Sequence, residues 1–244
     1  MITKRLVSST YEKSILWRLC DYQKFSLLET LRDVGGFKIT VHWMKTQDDS
    51  GRDGKKTGYL SKPQNWRSFD LTIFDFIKRH MDKGERSLAL YEKSAHANGI
   101  QFVNDHIENY QGRPELLDRI RNDKKSNMIF FDPDNGIEVK STNSNTVHKY
   151  VLWSEVGTAF NSNKSVLIYQ HFPRKKRGVF IEEMFKKMRG RLSTDVFAIK
   201  VKHSVYFLLA QKSHILKIRK SITAYQNMWG SLISVCDPRT SNLW

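Results

Sequence analysis

The sequence predicts an α/β protein built on a mostly parallel, seven-stranded sheet with a C-terminal antiparallel hairpin. Strand-like apolar segments alternate with amphipathic helical segments along the chain, which is typical of helices packed on a parallel sheet. The last two strand-like segments, 195–201 and 204–211, are separated by only two residues. A link this short joins antiparallel strands, because a parallel return needs a crossover of roughly a dozen residues. We therefore expect a single domain over residues 1–244, with an N-terminal helical segment over about residues 1–34.

Each helix is predicted from apolar residues that recur at helical spacing. The helical segments cover residues 11–33, 68–83, 113–125, 148–162, 178–192 and 214–226. The second of them places Phe69, Ile73 and Phe76 on one face and is followed by Gly84, a residue type that ends helices. The remaining strands are predicted from short apolar runs. These runs cover residues 37–44, 86–94, 99–105, 127–131 and 164–172.

The composition excludes a disordered chain and favours a polyanionic partner. Hydrophobic residues make up 39% of the chain and aromatic residues 12%, which is enough to form a core without disulfides. The chain has 41 Lys and Arg residues against 25 Asp and Glu residues, a formal net charge of +16. A surface this basic attracts nucleic acid, DNA or RNA, as the commonest polyanion.

The chain is expected to be cytoplasmic and to have no membrane partner. Its apolar runs are shorter than the roughly 20 residues that a membrane span needs, and neither a signal peptide nor a lipidation motif is found. The two cysteines, Cys20 and Cys236, form neither a disulfide framework nor a metal-binding spacing, which is typical of a reducing compartment.

The main candidate site lies in the segment NMIFFDPDNGIEVK, at the end of the fourth predicted strand. Apolar residues run directly into Asp132, Pro133 and Asp134. In open parallel sheets, ligands bind beyond the carboxyl ends of the strands. We therefore predict that this acidic turn is an open, ligand-facing edge with Asp132, Pro133 and Asp134 as catalytic residues; a plain polar turn is the alternative.

The strand pattern and the DPDN motif together resemble Rossmann-like, adenosylmethionine-dependent methyltransferases. In amino-group methyltransferases an Asp-Pro-Pro-aromatic motif follows the fourth strand; here Asp134 replaces the second proline and Asn135 the aromatic residue. The resemblance implies that Asp132 accepts a hydrogen bond from an exocyclic amine and that Pro133 stiffens the turn. It thus implies a methyltransferase-like enzyme that acts on nucleic acid.

The same resemblance implies that two acidic residues hold adenosylmethionine. Glu92, at the end of the predicted second strand, resembles the residue that binds the ribose hydroxyls, and Asp105, after the third strand, the residue that reads the adenine amine. The loop after the first strand spreads Gly51, Gly54 and Gly58 among polar residues, unlike the compact glycine turn of these enzymes. A degenerate cofactor site, with both acids lying at the surface, is therefore the alternative.

Four segments also resemble a group of uncharacterised bacterial and phage proteins that share a DPDNG motif. These segments are CDYQKFSLLETL, FFDPDNGIEVK, KYVLWSE and SVLIYQHFPR. A more distant resemblance is to the methyltransferases that modify an adenine of large-subunit ribosomal RNA. The first resemblance supports the fold and implies no activity.

A second enzyme hypothesis is a magnesium-dependent nuclease. Asp132, Asp134 and Glu138 supply the carboxylates that would hold Mg²⁺, and Lys140 would help to activate water. The spacer between the acids is short, so the hypothesis requires Asn135-Gly136 to form a tight hairpin.

The segment YQHFPRKKRG adds a histidine and four cations to this edge. His171 ends the fifth predicted strand and is a candidate proton-transfer residue close to Asp132, although a structural histidine is the alternative. The four consecutive cations would bind phosphates beside the site, or simply form a charged surface loop. They are Arg174, Lys175, Lys176 and Arg177. A third hypothesis is therefore a nucleic-acid-binding module without catalytic activity.

Overall fold

The computed structural model describes residues 17–44, 57–104 and 109–237. Seven strands form the main sheet and two short ones form a separate parallel pair. The strands of the main sheet are β1 (Ile39–His42), β2 (Ile100–Val103), β3 (Met128–Phe131), β6 (Ser165–His171), β7 (Asp195–Lys200), β8 (Ser204–Ala210) and β9 (Ser234–Cys236). The separate pair is β4 (Gly136–Ile137) and β5 (Tyr150–Val151).

The strand order of the main sheet is β2-β1-β3-β6-β8-β7-β9. The β1–β2, β1–β3 and β3–β6 pairs are parallel, whereas β8 is antiparallel to β6 and β7, and β9 is antiparallel to β7. Five strands therefore run in one direction and end at the same edge of the sheet. We call it the carboxyl edge. The prediction of an α/β fold with a seven-stranded, mostly parallel sheet is confirmed.

Eight α-helices are described beside the sheet. They are α1 (Leu19–Asp33), α2 (Pro63–Trp66), α3 (Leu71–Asp82), α4 (Leu88–Glu92), α5 (Arg113–Asn122), α6 (Trp153–Asn161), α7 (Arg177–Leu192) and α8 (Ile215–Trp229). The start of α3 is set locally, because the carboxylate of Asp70 accepts a hydrogen bond from the amide of Ile73 at 3.1 Å. None of the described helices is long and apolar enough to cross a membrane.

Alternating side chains of each strand enter two separate hydrophobic cores. Met128 and Phe130 of β3 pack with helices α1, α3, α4 and α8, whereas Ile129 and Phe131 pack with helices α5, α6 and α7. Both faces of the sheet are covered, which explains why β3, MIFF, is apolar and buried at every position. The sheet edges are therefore the places left for polar chemistry.

One predicted strand is wrong. Residues 88–92 form α4, and the seventh strand of the sheet is β9, which the sequence pattern did not indicate. Ser87 caps the helix by accepting a hydrogen bond from the amide of Ala89, and Leu88 and Tyr91 are buried at a spacing of three residues. A short apolar run without strict alternation fits a helix turn as well as a strand, and here the cap and tertiary packing select the helix.

Candidate functional site

The residues predicted to carry the chemistry follow strands that end at the carboxyl edge. β3 ends at Phe131 and β6 at His171, and the two strands are parallel neighbours with Phe131 paired to Ile168. β7 also points to this edge, so its turn into β8, residues 201–203, lies there too. The topology thus brings the DPDN segment, the basic run after His171 and this turn to one side of the molecule.

Asp132 is not on an open rim. Its side chain is buried, with 2% of the residue exposed, and its Oδ2 atom lies 2.8 Å from Nζ of Lys24, which is 7% exposed. The predicted role of Asp132 as an acceptor for a substrate amine does not fit this geometry, because a buried lysine already occupies the carboxylate. The prediction of an open, ligand-facing turn at Asp132 is therefore wrong. Pro133 is also buried, whereas Asp134 is partly exposed.

Lys24 is held by acids and aromatic rings together. Its Nζ atom lies 3.8 Å from Oδ1 of Asp21, 4.9 Å from the ring centre of Tyr169 and 5.7 Å from that of Trp43. Burial alone would lower the pKa of Lys24, but the charges of Asp132 and Asp21 outweigh burial and raise it. The lysine is therefore charged, and its ion pair ties α1 to the end of β3.

The loop after Asp132 is fixed by Gln170 of β6. The amide of Ile137 donates to Oε1 of Gln170 at 2.9 Å, and Nε2 of Gln170 donates to the carbonyl of Asn135 at 2.9 Å. Gly136 has a φ of +112°, and a Cβ at this position would lie 2.3 Å from Cδ of Gln170. Glycine is therefore required for the close approach of the loop to the Gln170 side chain. Packing against Gln170 thus explains the glycine of the DPDNG sequence.

The carboxylates of the nuclease hypothesis do not assemble into a metal site. Asn135-Gly136 makes no hairpin; Gly136 and Ile137 instead pair in parallel with β5. Glu138 turns towards α6, where its Oε1 atom accepts a hydrogen bond from the amide of Trp153 at 2.6 Å. Over the ranges that the structure covers, no group of three or more His, Cys, Asp or Glu side chains has the geometry of a metal site. Lys140 is exposed.

Of the two predicted adenosylmethionine residues, only Glu92 lies among the described residues. Glu92 lies in α4, and its Oε1 atom accepts a hydrogen bond from Nε1 of Trp43 at 2.8 Å. Its predicted place at a strand end is wrong, because residues 88–92 are helical; the ribose contact that the resemblance implies for it stays a prediction. Asp105 lies outside the described residues; β2 ends two residues before it, at Val103. The described side chains thus do not supply the cofactor-binding acids that the resemblance implies.

A cavity of about 690 Å³ opens beside this edge, and we call it the carboxyl-edge cavity. It lies between the start of α1, residues 58–66 and the ends of β6 and β7. The described residues of its lining combine cationic, imidazole and aromatic groups and include no carboxylate. The lining residues are Arg18, Leu19, Cys20, Gly58, Tyr59, Ser61, Lys62, Trp66, Tyr169, His171, Lys202 and His203.

Two polar atoms in the cavity wall are buried without a hydrogen-bond partner among the described residues. They are Nε of Arg18 and the hydroxyl of Tyr59. Tyr59 is 6% exposed and its ring stacks on that of Tyr22, with centroids 5.7 Å apart and an interplanar angle of 8°. Buried polar groups are normally paired, so these two atoms mark a part of the wall whose hydrogen-bonding capacity the described residues do not use.

The titratable groups of the cavity carry little negative charge at neutral pH. Burial, together with the carboxylate of Asp21, raises the pKa of Cys20 to about 11, so its thiol is not a poised nucleophile. Desolvation and the charges of Arg18 and Lys24 lower the pKa of His171. His171 is exposed at the end of β6, and its ring meets that of Tyr169 edge-on at 5.0 Å. It faces the cavity as a neutral imidazole.

The predicted basic run lies next to this cavity. Arg174, Lys175, Lys176 and Arg177 are all exposed. Lys175 pairs with Glu183 at 2.7 Å, and the guanidinium of Arg177 lies 5.1 Å from the ring centre of Phe172. The run begins three residues after His171, which lines the cavity, and adds exposed positive charge on this side of the molecule.

Sequence reasoning missed most of the cavity. Lys202 and His203 were treated only as a link between strands, although a parallel β7 must deliver them to the same edge as His171. That topological signal was present in the sequence. Arg18 and Tyr59 carried no comparable signal, because their positions depend on how α1 and residues 57–66 fold over the edge.

Comparison of the chain with protein-family models, with curated proteins and with solved structures found no match.

Proposed function

We propose that this protein binds nucleic acid at the carboxyl edge of its sheet, on a Rossmann-like, methyltransferase-like fold. The observation that carries the proposal is the carboxyl-edge cavity, in which Arg18, Lys62 and Lys202 surround aromatic rings and the described lining includes no carboxylate. Cations hold phosphates, and aromatic faces stack on bases of any identity. The formal net charge of +16 supports the same partner, because it draws polyanions to the surface from a distance.

The geometry favours binding over catalysis by the DPDN segment. Asp132 is neutralised by Lys24, and Asp132, Asp134 and Glu138 belong to no metal-binding group among the residues described. The basic run from Arg174 to Arg177 gives a bound strand a path beyond the cavity. Of the three sequence hypotheses, the nucleic-acid-binding module is thus the one with the most support.

The proposal is tested by fluorescence anisotropy with linear single-stranded DNA and RNA of one sequence, at about 50 to 200 mM salt. We expect log Kd to rise linearly with log salt, with a slope of about 0.7 for each phosphate contact. The double variant Arg174→Gln/Lys202→Gln should weaken binding about tenfold or more and lower this slope by about 1 to 2.

A charge-matched control exists at the opposite edge of the sheet. Arg189 and Lys212 line a separate cavity of about 680 Å³ there, together with the carboxylate of Asp195. The double variant Arg189→Gln/Lys212→Gln removes the same charge and should change Kd less than threefold. Equal losses in both double variants would mean that binding follows net charge alone, and a salt-independent or absent signal would overturn the proposal.

A second candidate function, adenosylmethionine-dependent methyl transfer, is favoured by the sheet order. β1 lies between β2 and β3, and β2 ends two residues before Asp105, next to the end of β1. This neighbouring strand, rather than Glu92, is where the resemblance would put a ribose-binding acid. Titration calorimetry with adenosylmethionine on the unaltered protein and on Asp105→Ala tests this function. A binding heat that is present in the unaltered protein and missing in the variant supports cofactor binding. If the unaltered protein gives no binding heat, this function is rejected.

A further inference from the structure

We propose that the carboxyl-edge cavity binds the phosphorylated terminal nucleotide of a nucleic-acid strand, rather than an internal nucleotide. The inference rests on the proposed function and names the part of the polymer that the cavity takes. Three properties of the cavity carry it: the number of positive charges, the volume with its aromatic rings, and an unsatisfied arginine.

The charge of the cavity exceeds what one internal phosphate neutralises. Arg18, Lys62 and Lys202 contribute three positive charges, and His171 and His203 add two imidazoles. The described lining has no carboxylate, although Asp21 and Asp132 lie close enough to act on Arg18. An internal phosphodiester carries one negative charge, whereas a terminal phosphate carries about 1.5 to 2 at pH 7 and has three acceptor oxygens. A terminal phosphate thus matches the wall more closely in both charge and hydrogen-bonding capacity.

The volume and rings leave room for the nucleotide attached to that phosphate. A cavity of about 690 Å³ is far larger than a phosphate group and lies within the range of small-molecule sites. The rings of Trp66, Tyr59 and Tyr169 belong to its wall, with Trp66 and Tyr59 meeting edge-on at 6.1 Å. Tyr59 and Tyr169 are buried, whereas Trp66 is partly exposed and offers the accessible ring. Base stacking on an accessible ring contributes roughly 1 to 3 kcal/mol and does not depend on base identity.

Tyr169 closes the inner side of the cavity. Its ring lies 4.9 Å from Nζ of Lys24, and Lys24 in turn pairs with Asp132. The ion pair therefore stands behind the wall and leaves no described passage for a strand to continue inward. A chain end fits such a recess, whereas an internal segment needs an exit as well as an entrance.

Arg18 is the residue that we expect to hold the terminal phosphate. Its side chain is only partly exposed, it stands just before α1, and its buried Nε atom has no partner among the residues that the structure covers. A buried guanidinium Nε atom without an acceptor is costly, and a dianion offers the bidentate acceptor that arginine prefers. Lys62 is exposed on another side of the cavity and provides a second contact.

The experiment compares Kd for four single-stranded oligonucleotides of one sequence: with a 5′-phosphate, with a 3′-phosphate, without a terminal phosphate, and covalently closed into a circle. We expect one phosphorylated end to bind about tenfold or more tightly than the circle, and the two phosphorylated forms show which end is recognised. Arg18→Gln should weaken binding of the preferred phosphorylated form at least fivefold more than binding of the circle, and so remove most of this preference.

Lys62→Gln is a second variant in case Arg18→Gln affects folding, because Lys62 is exposed and its replacement should not disturb the fold. In Lys62→Gln the preference for the phosphorylated end over the circle should fall at least threefold. Lys212→Gln, at the opposite edge, should leave it unchanged. If the circle and all linear forms bind equally, the inference fails while the proposed function stands. If Arg18→Gln weakens all four ligands equally, Arg18 is an ordinary backbone contact and the inference also fails. If none of the four oligonucleotides shows salt-sensitive binding, both this inference and the proposed function fail.

Discussion

Nζ of Lys24 lies 2.8 Å from Oδ2 of Asp132, and both side chains are almost fully removed from solvent. The two residues are 108 positions apart in the chain, so the pair joins the first described helix to the end of a central strand. The ion pair gives Asp132 a structural role, although the motif around it resembles a catalytic one. The pair also lies behind the wall of the carboxyl-edge cavity.

We predict that Lys24→Met lowers the free energy of unfolding by about 3 to 5 kcal/mol, because it leaves the carboxylate of Asp132 buried without its cation. Lys24→Met/Asp132→Leu should recover most of that loss, since it removes both charges. Urea denaturation at pH 7 measures both variants. A loss below about 1 kcal/mol for Lys24→Met would mean that Asp132 reaches solvent, as the open-rim hypothesis requires.

Gly136→Ala should lower the free energy of unfolding by about 2 to 4 kcal/mol, because its Cβ would lie 2.3 Å from the Gln170 side chain and the backbone φ is +112°. Gly84→Ala is the matched control: its φ is +73°, and a Cβ there meets nothing within 4 Å. It should lose only about 1 to 2 kcal/mol, the cost of a left-handed alanine.

Adding Gln170→Ala to Gly136→Ala separates the clash from the backbone strain. If the clash dominates, the double variant should lose less stability than the sum of the single variants, with a coupling of about 1 kcal/mol or more in a double-mutant cycle. Additive losses would contradict the account in which Gln170 and Gly136 require each other.

Two stacked tyrosines should respond in opposite ways to loss of the hydroxyl. The Tyr22 hydroxyl donates to the carbonyl of Asp70 at 2.8 Å and accepts from the amide of Asp70 at 2.7 Å, so Tyr22→Phe should lose about 1 to 2 kcal/mol. The Tyr59 hydroxyl is buried without a partner in the described part of the chain, so Tyr59→Phe should be neutral or stabilising by up to about 1 kcal/mol. Thermal unfolding of both variants is the measurement. A larger loss in Tyr59→Phe than in Tyr22→Phe would contradict this difference.

Glu29 should make stability depend on pH. Burial, and then the charge of Asp70, raise the pKa of Glu29 to about 8, although Nδ1 of His96 lies 3.1 Å from its Oε1 atom. The folded state thus holds a proton that the unfolded state has released above about pH 4.5. Its contribution to stability is complete below that pH and is lost as pH rises towards 8.

Glu29→Gln removes this titration. Near pH 4.5 the free energy of unfolding of the variant should be close to that of the unaltered protein. Above pH 8 the variant should be more stable by about 1 to 2 kcal/mol, after allowance for partial solvent screening. Urea denaturation of both proteins from pH 5 to 8.5 measures the difference. A difference that does not change with pH would contradict the raised pKa.

The sequence predicts much of the fold because local patterns determine it. The apolar runs at β1, β3 and β6 and the helical spacing in α1, α3 and α7 all reappear as elements of the expected type. Residues 88–92 were misassigned because a short apolar run is ambiguous, and the cap at Ser87 together with tertiary packing favours the helix.

The candidate site was harder to predict, because it depends on contacts between distant parts of the chain. The DPDN segment does follow a strand that ends at the carboxyl edge, as the alternation implied. Its burial depends on Lys24 and its loop shape on Gln170, and neither partner is visible from the motif. The basic and aromatic cavity depends in the same way on the placement of Arg18 and Tyr59.

Photochemical crosslinking of a bound single-stranded oligonucleotide, followed by mass spectrometry of the crosslinked peptides, tests most directly where nucleic acid binds. We predict crosslinks in peptides that contain Trp66, Tyr169 or residues 202–203, and their loss at high salt as binding is lost. Crosslinks confined to the opposite edge of the sheet, at residues 193–195 and 210–215, would contradict the assignment of the binding site to the carboxyl-edge cavity.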